Sequence, residues 1–328
     1  MNVYLDNAST SFPKPKAVCD SMYNFIANIG GNSGRSNHTN ALESNRYVFD
    51  TRENIASFFN FPKIENVVFT NNITSSLNIL INGILKKGDH VITSSIEHNS
   101  VIRPLWNLKE ANIIDLDIAE ANSLGILSVE SINKLIKPNT KLIVLTHASN
   151  VIGSIQPIKE IGELCKKNNI FFILDSAQSA GVLPVDFAEF NLSALAFTGH
   201  KSLLGPQGIG GFIISDELNE ICEPFILGGT GSLSHALSQP DFLPDKFESG
   251  TLNIPGIVGL NEGIKFIKKE GIENIYEHNS SLRKYLIDEM ANMPNYKIYG
   301  DLSPERGTTC ISFSHNKLDI SAVSYTHL

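Results

Sequence analysis

The stretch Ala196-Phe197-Thr198-Gly199-His200-Lys201 places a lysine directly after an apolar, strand-like run that begins at Leu192. A lysine in such a place is unusual, because moving an ammonium group from water into apolar surroundings is costly. A lysine bound covalently to an aldehyde cofactor as a Schiff base is no longer a free ammonium, which offsets this cost. A solvated loop lysine is the more frequent case, so the stretch taken alone favours the simpler interpretation.

The composition is typical of a packed soluble protein. Of 328 residues, 42% are hydrophobic and 18% are charged, and the length allows one large domain and a smaller one. The net charge of −8 argues against a nucleic-acid partner. We find no secretion signal and no apolar run long enough for a bilayer, so we expect a cytoplasmic protein without a membrane partner.

The four cysteines are scattered along the chain. They lie at Cys19, Cys165, Cys222 and Cys310 and form no CxxC pair. This spacing argues against a zinc site or a disulfide framework, and it fits a reducing compartment. The sequence therefore predicts no metal site.

Short apolar runs alternate with amphipathic helical patterns through the first two thirds of the chain. The predicted strands are residues 67–69, 91–93, 113–116, 142–146, 171–174, 195–198 and 211–214. Such alternation predicts an α/β fold with a mainly parallel sheet that is covered on both faces. Ligands of such folds bind at the carboxyl ends of the strands.

A polar loop rich in Gly, Ser and Pro over residues 228–245 separates this region from a helical pattern that begins near Ile254. We therefore divide the chain into three parts. Residues 1–14 form an N-terminal segment that contributes to the active site and the small domain, residues 15–254 form a large domain, and residues 255–328 form part of a smaller α/β domain.

Several polar residues follow the predicted strands. Asp175 ends an apolar strand, and a buried carboxylate there needs a cationic or proton-donating partner such as a protonated pyridine nitrogen. Thr74 lies where a helix begins, which suits a phosphate group. His98 could stack on a cofactor ring, and Asn150 could hydrogen-bond a phenolic oxygen. In isolation, helix capping explains Asp175 about equally well, and capping, a polar loop histidine and turn formation are the more frequent explanations of Thr74, His98 and Asn150. The presence of all four at strand ends is the stronger signal.

Motifs throughout the chain resemble the class V aminotransferase family of fold-type I pyridoxal-phosphate enzymes, closest to cysteine desulfurases and selenocysteine lyases. The motifs are Tyr4-Leu5-Asp6-Asn7-Ala8-Ser9-Thr10, Gly34-Arg35 with His38, Glu97-His98-Asn99, His147-Ala148-Ser149-Asn150-Val151-Ile152-Gly153, Asp175-Ser176-Ala177-Gln178, Thr198-Gly199-His200-Lys201 and Glu248-Ser249-Gly250-Thr251-Leu252-Asn253. They follow the family's order. The resemblance implies pyridoxal 5′-phosphate as cofactor and an amino acid, cysteine in the closest relatives, as substrate.

By this resemblance, Lys201 is the Schiff-base lysine and also moves protons at the substrate's alpha carbon. Asp175 pairs with the pyridine nitrogen, and His98 stacks on the ring as a second catalytic residue. Gln178 and Asn150 contact the phenolic oxygen or the substrate.

The resemblance also assigns a phosphate site to Thr74, Thr198 and His200. Thr251 would reach the phosphate of a neighbouring subunit, which implies a two-fold homodimer. Substrate contacts from the N-terminal part are expected at Asn7, Ala8 and Arg35.

In the family, a cysteine thiolate on a C-terminal loop takes the substrate sulfur, leaves alanine, and can pass the sulfur to an acceptor protein. No cysteine of this chain fits that role, since Cys310 reads as a packed residue of a strand over 309–313. Asp319 reads as the cap of a helix that has only begun, and residues 323–328 resemble translated sequencing-adapter sequence. We therefore expect a C-terminally truncated chain that lacks the catalytic cysteine and is inactive as a desulfurase.

The residues also allow other interpretations of the function. An aminotransferase or another amino-acid lyase of the same fold would keep the cofactor and change the reaction. A nucleotide-binding loop around Lys201 is excluded, because His200 and Leu195 stand where that motif requires glycine.

Overall fold

A computed structural model describes residues 4–34, 38–233 and 235–318. Its main sheet has seven strands in the order β1-β7-β6-β5-β4-β2-β3. The strands are β1 (Val67–Thr70), β2 (Asp89–Ser94), β3 (Ile114–Ala119), β4 (Thr140–Thr146), β5 (Phe171–Asp175), β6 (Ala194–Thr198) and β7 (Gly210–Ile214). All seven predicted strands are confirmed. Only β7 runs against its neighbours, so the sheet is mainly parallel, as predicted.

Helices cover both faces of this sheet. They are α1 (Lys16–Asn24), α2 (Thr39–Phe58), α3 (Ile73–Ile84), α4 (Asn99–Glu110), α5 (Val129–Asn133), α6 (Ile158–Lys167), α7 (Asp216–Ile221), α8 (Ile254–Glu270) and α9 (Ile272–Ala291). Alternate strand residues enter different apolar clusters: Leu145 and Leu174 pack toward α2, α6 and α8, whereas Val144 and Ile173 pack toward α3 and α4. This alternation explains why the strands read as continuous apolar runs, and it confirms the three-layer architecture.

The C-terminal part holds α9 and a second, two-stranded sheet of β8 (Tyr296–Tyr299) and β9 (Ser312–His315). The expected strand over 309–313 therefore starts later, and Cys310 precedes it. Helix α8 packs against α1 and α2 and buries its apolar face in the core of the large sheet. The domain boundary near residue 254 stays a prediction, and Asp319 and residues 323–328 lie outside the described residues.

None of the helices within the described ranges is long and apolar enough to cross a membrane.

Candidate active site

Four neighbouring strands of the main sheet lead to four of the predicted site residues at one edge. In the order β6, β5, β4 and β2, they lead to Lys201, Asp175, Asn150 and His98. Parallel strands end at the same edge, so the chain places these side chains around one region although they are up to about a hundred residues apart in sequence. The topology thus brings these four predicted residues to one edge of the sheet.

Asp175 is a carboxylate enclosed by protein, with only 1% of the residue exposed. Its Oδ1 accepts a hydrogen bond of 2.9 Å from the backbone N–H of Ala177. Burial raises the pKa of Asp175, while that bond and the positive fields of Lys201 and His98 act in the opposite direction. The following residues form a turn rather than a helix, so helix capping does not explain this carboxylate.

Lys201 lies in the turn after β6 and is electrostatically coupled to Asp175. Burial lowers the pKa of Lys201, although the negative fields of Asp175 and Cys310 oppose the shift. A lowered pKa increases the fraction of neutral amine, which is the nucleophilic form of lysine. The edge of the sheet therefore holds an amine suited to covalent chemistry beside a buried carboxyl group.

A glycine brings the start of α3 next to the end of β6. Gly210 pairs with Thr70 of β1 on one side and with Thr198 of β6 on the other. A Cβ at this position would lie 2.8 Å from the carbonyl oxygen of Phe197 and 2.9 Å from backbone atoms of Asn72. No larger residue fits without displacing the backbone of β6 or α3.

Polar groups surround the space between α3 and the turn after β6. Asn72 caps α3 by accepting a 2.9 Å bond from the N–H of Ser75, and Thr74 is exposed in the first turn. The hydroxyl oxygen of Thr198 and the Nδ1 atom of His200 are buried without a hydrogen-bond partner. Unpaired buried polar atoms beside a helix N-terminus suit an anionic ligand that would supply the missing bonds.

His98 is the N-cap of α4, since its Nδ1 accepts a 3.1 Å bond from the N–H of Ser100. This bond fixes the ring, which is still exposed on the site side of β2. Asn150 lies in the turn after β4, and its carbonyl oxygen is 3.1 Å from the thiol of Cys310. His98 therefore caps a helix and Asn150 forms a turn, and both residues also lie at the strand ends where they were predicted.

The N-terminal segment contacts the site through Gln178, whose amide nitrogen donates a 3.0 Å bond to the carbonyl oxygen of Ala8. The side-chain oxygen of Asn7 accepts a 3.0 Å bond from the N–H of Phe12 and thereby shapes the segment itself. Arg35 lies outside the described residues. Substrate contacts of these residues stay a prediction.

The same segment also holds the backbone of the lysine turn. The carbonyl oxygen of His200 accepts bonds from Thr10 Oγ1 at 3.1 Å, from Ser11 N at 3.1 Å and from Lys14 Nζ at 2.6 Å. Ser11 Oγ donates to the carbonyl oxygen of Lys201 at 2.7 Å. Burial lowers the pKa of Lys14 to about 8.

Thr251 is exposed in the loop before α8 and lines a polar pocket of about 110 Å³ together with Asn71 and Ser75. The neighbouring Glu248 anchors this loop through a buried ion pair of 2.5 Å with Arg52. Thr251 therefore lies at the surface near the start of α3, and its contact with a second subunit stays a prediction.

Sequence reasoning missed three residues of this region: Lys14, Glu97 and Cys310. Each of them bonds a backbone group that is distant in sequence, and no local pattern predicts such a contact. Only Glu97 could have been found from the sequence, because it directly precedes His98 after an apolar strand.

A family model for class-V aminotransferases matches residues 3–326. A probable cysteine desulfurase of Methanothermobacter thermautotrophicus is 33% identical over 323 residues, which cover 97% of this chain and 79% of that protein. The relatives thus confirm the predicted resemblance to cysteine desulfurases.

Solved structures agree with the sequence comparison. The apo cysteine desulfurase of Thermococcus onnurineus NA1 superposes with a TM-score of 0.93 at 30% identity and covers 99% of this chain and 81% of that one. SspA in complex with cysteine has a TM-score of 0.79 at 26% identity, with 98% and 85% covered. The fold, the order of the site motifs and these similarities agree, and the chain belongs to the class-V aminotransferase family.

Proposed function

We propose that this chain is a pyridoxal-phosphate-dependent enzyme of the cysteine desulfurase type. The reaction of that type converts cysteine to alanine and leaves the sulfur on a cysteine thiolate, a role that none of the four cysteines of this chain fits. The observation that carries this proposal is the placement of Lys201 and the buried Asp175 after adjacent parallel strands, within each other's electrostatic field. The similarity to cysteine desulfurases over nearly the whole chain narrows the substrate class.

The residues at the sheet edge fit pyridoxal phosphate. The unpartnered Thr198 Oγ1 and His200 Nδ1 atoms, together with Thr74 at the start of α3, would hold its phosphate. The buried carboxyl group of Asp175 would receive the pyridine nitrogen, because a buried carboxylate is stable only beside a cationic or proton-donating partner.

The chain also offers residues that would contact the substituents of the pyridoxal ring. Asn150, after β4, and Gln178 would contact the phenolic oxygen or the substrate, and His98 would stack on the ring from the end of β2. Asn7, Ala8 and Arg35 are proposed as substrate-side residues of the N-terminal part.

The cofactor, when bound, supplies an electron sink that makes the bonds at the substrate's alpha carbon labile. The chain supplies the proton transfers and the orientation. Lys201, with its lowered pKa, accepts and returns the proton at the alpha carbon, since a base is most effective when its pKa approaches the working pH. Asp175 would pair with the pyridine nitrogen and would favour its protonated form.

We further propose a homodimer in which Thr251 of each subunit approaches the phosphate site of the other. Its exposure on the loop that Glu248 and Arg52 anchor supports this arrangement. A sulfur-acceptor protein and a cytoplasmic location are part of the same proposal.

The test of substrate class incubates the purified chain with pyridoxal phosphate, dithiothreitol as sulfur acceptor and either L-cysteine or a control amino acid such as L-aspartate. We expect L-cysteine, and not L-aspartate, to change the visible absorbance of the bound cofactor, but little alanine and sulfide to form, because no cysteine of this chain fits the role of the sulfur-accepting thiolate. Formation of a keto acid instead, or an equal response to L-aspartate, would favour the aminotransferase alternative and contradict the proposal.

A further inference from the structure

Glu97 lies in the turn between β2 and α4, directly before His98. Its Oε1 accepts hydrogen bonds from the hydroxyl group of Ser94, the last residue of β2, and from the N–H of Thr146 at 3.0 Å. Thr146 is the last residue of β4 and pairs with Asp175 of β5. The carboxyl group of Glu97 therefore connects the ends of two strands that carry site residues.

The second oxygen of this carboxyl group accepts no hydrogen bond from the described part of the chain. Oε2 of Glu97 is buried and has no hydrogen-bond partner. Among the residues that the structure describes, no lysine, arginine or histidine forms an ion pair with Glu97. An ionised carboxylate with one bare, desolvated oxygen is costly, whereas a protonated carboxyl group carries no net charge.

The charges nearby favour the neutral form as well. Asp175 is the charged group that acts on Glu97, and it acts as a like charge. The positive fields of Lys201 and His98 act on Asp175 and oppose the rise of its pKa. Two buried carboxyl groups that lie close together do not both ionise easily, and the one without a cation keeps its proton.

We propose that Glu97 is a positioning residue that works as a neutral carboxylic acid. Its Oε1 ties the end of β2, and with it His98, to the end of β4, while the proton resides on Oε2. Asp175 is then the one carboxylate of the two that ionises, and no second negative charge from Glu97 competes with it for the pyridine nitrogen. The role in cofactor binding rests on the proposed function, but the protonation state does not.

The electrostatics of the site agree with this assignment. Burial raises the pKa of Glu97 to about 8, an effect that the bonds from Ser94 and Thr146 only partly reverse and that Asp175 reinforces. A group whose pKa is higher in the folded chain stabilises the fold below its ordinary pKa, and this stability is lost as the pH rises through the folded value. The Glu97 contribution is therefore lost between about pH 4.5 and about pH 8.

The test compares the thermal midpoints of the wild-type chain and of Glu97→Gln, whose amide mimics the neutral acid, across this pH window. We expect the Gln variant to gain stability relative to the wild type steadily as the pH rises. Glu120→Gln is the matched control, because Glu120 follows β3 at the same edge but is exposed. A difference between wild type and Glu97→Gln that stays constant with pH, as for the control, would overturn the proposal.

A second measurement needs no variant. Carbon-13 NMR of glutamate-labelled wild-type chain should show one side-chain carboxyl group that titrates near pH 8. Titration of every glutamate in the ordinary range would refute the neutral acid.

The holoenzyme tests the positioning role separately. We expect the pH titration of the bound cofactor's absorbance to show an inflection near pH 8 that Glu97→Gln lacks, and an unchanged titration would refute this role. Failure of the chain to bind pyridoxal phosphate would contradict the proposed function and leave the protonation result standing.

Discussion

At the scale of single residues, Asp175 and Lys201 form the chemical centre of the molecule. Each is buried enough to shift its own pKa toward the neutral form, and each opposes the shift of the other. Such an arrangement favours binding of a further partner, because burial disfavours the charged form of both groups. A ligand with a basic ring nitrogen would pair with the carboxylate of Asp175, and its carbonyl group would react with the amine of Lys201.

Replacement of Asp175 by Asn should weaken the binding of pyridoxal phosphate. Hydrogen bonds to charged groups contribute roughly 1.5–3 kcal/mol, so we expect the dissociation constant to rise about tenfold to a hundredfold. Absorbance titration of the apo chain with the cofactor measures this change.

The matched control is Asp115→Asn, because Asp115 is an exposed residue of β3. Its dissociation constant should equal that of the wild type. Equal affinities of Asp175→Asn and the wild type would show that this carboxylate does not meet the ring nitrogen.

The positions of Lys201 and Asp175 at the ends of apolar strands were predictable from the sequence, and their roles were predicted from the motifs that resemble the family. Glu97 and Cys310 were not, since their functional contacts are to the backbone of residues 49 and 160 positions away. The sequence predicted Cys310 as a packed strand residue. In the structure, its thiol donates a hydrogen bond to the carbonyl oxygen of Asn150 and interacts electrostatically with Lys201.

At the scale of elements, the site depends on how β1, β7 and β6 pack together. Gly210 and Gly211 begin β7, and they allow β1 and β6 to approach the same strand from both sides. This contact sets the start of α3 beside Thr198, where the phosphate is proposed to bind. Apolar runs predicted these strands correctly, but the reversed direction of β7 and the late start of β9 depend on tertiary pairing.

Replacement of Gly210 by Ala should therefore separate α3 from the end of β6. Overpacking of this kind costs about 1–3 kcal/mol of stability. We expect a lower thermal midpoint and weaker binding of inorganic phosphate to the apo chain, as measured by calorimetry.

Gly229→Ala serves as the control, since a Cβ at Gly229 meets open space. Wild-type stability and phosphate affinity in Gly210→Ala would show that the close approach of the two elements is not required.

At the scale of the whole molecule, a three-layer body gathers residues from both ends of the chain at one sheet edge. The N-terminal residues Thr10, Ser11 and Lys14 hold the lysine turn from outside, and residues 306–312 run along the turn that contains Asn150. The fold and the family followed from the sequence, because strand periodicity and motif order extend over nearly its full length. The contacts of the two ends did not, because they depend on segments that the sequence separates by up to 190 residues.

The central claim is that Lys201 is the covalent anchor of pyridoxal phosphate, and one measurement tests it directly. The chain is incubated with the cofactor, reduced with borohydride and digested, and the modified peptide is identified by mass spectrometry, with Lys201→Ala and the exposed-lysine control Lys16→Ala treated in parallel. The account predicts a single labelled site at Lys201 in the wild type and in Lys16→Ala, and no stoichiometric label in Lys201→Ala. A label of equal extent in Lys201→Ala, or a label on another lysine of the wild type, would contradict it.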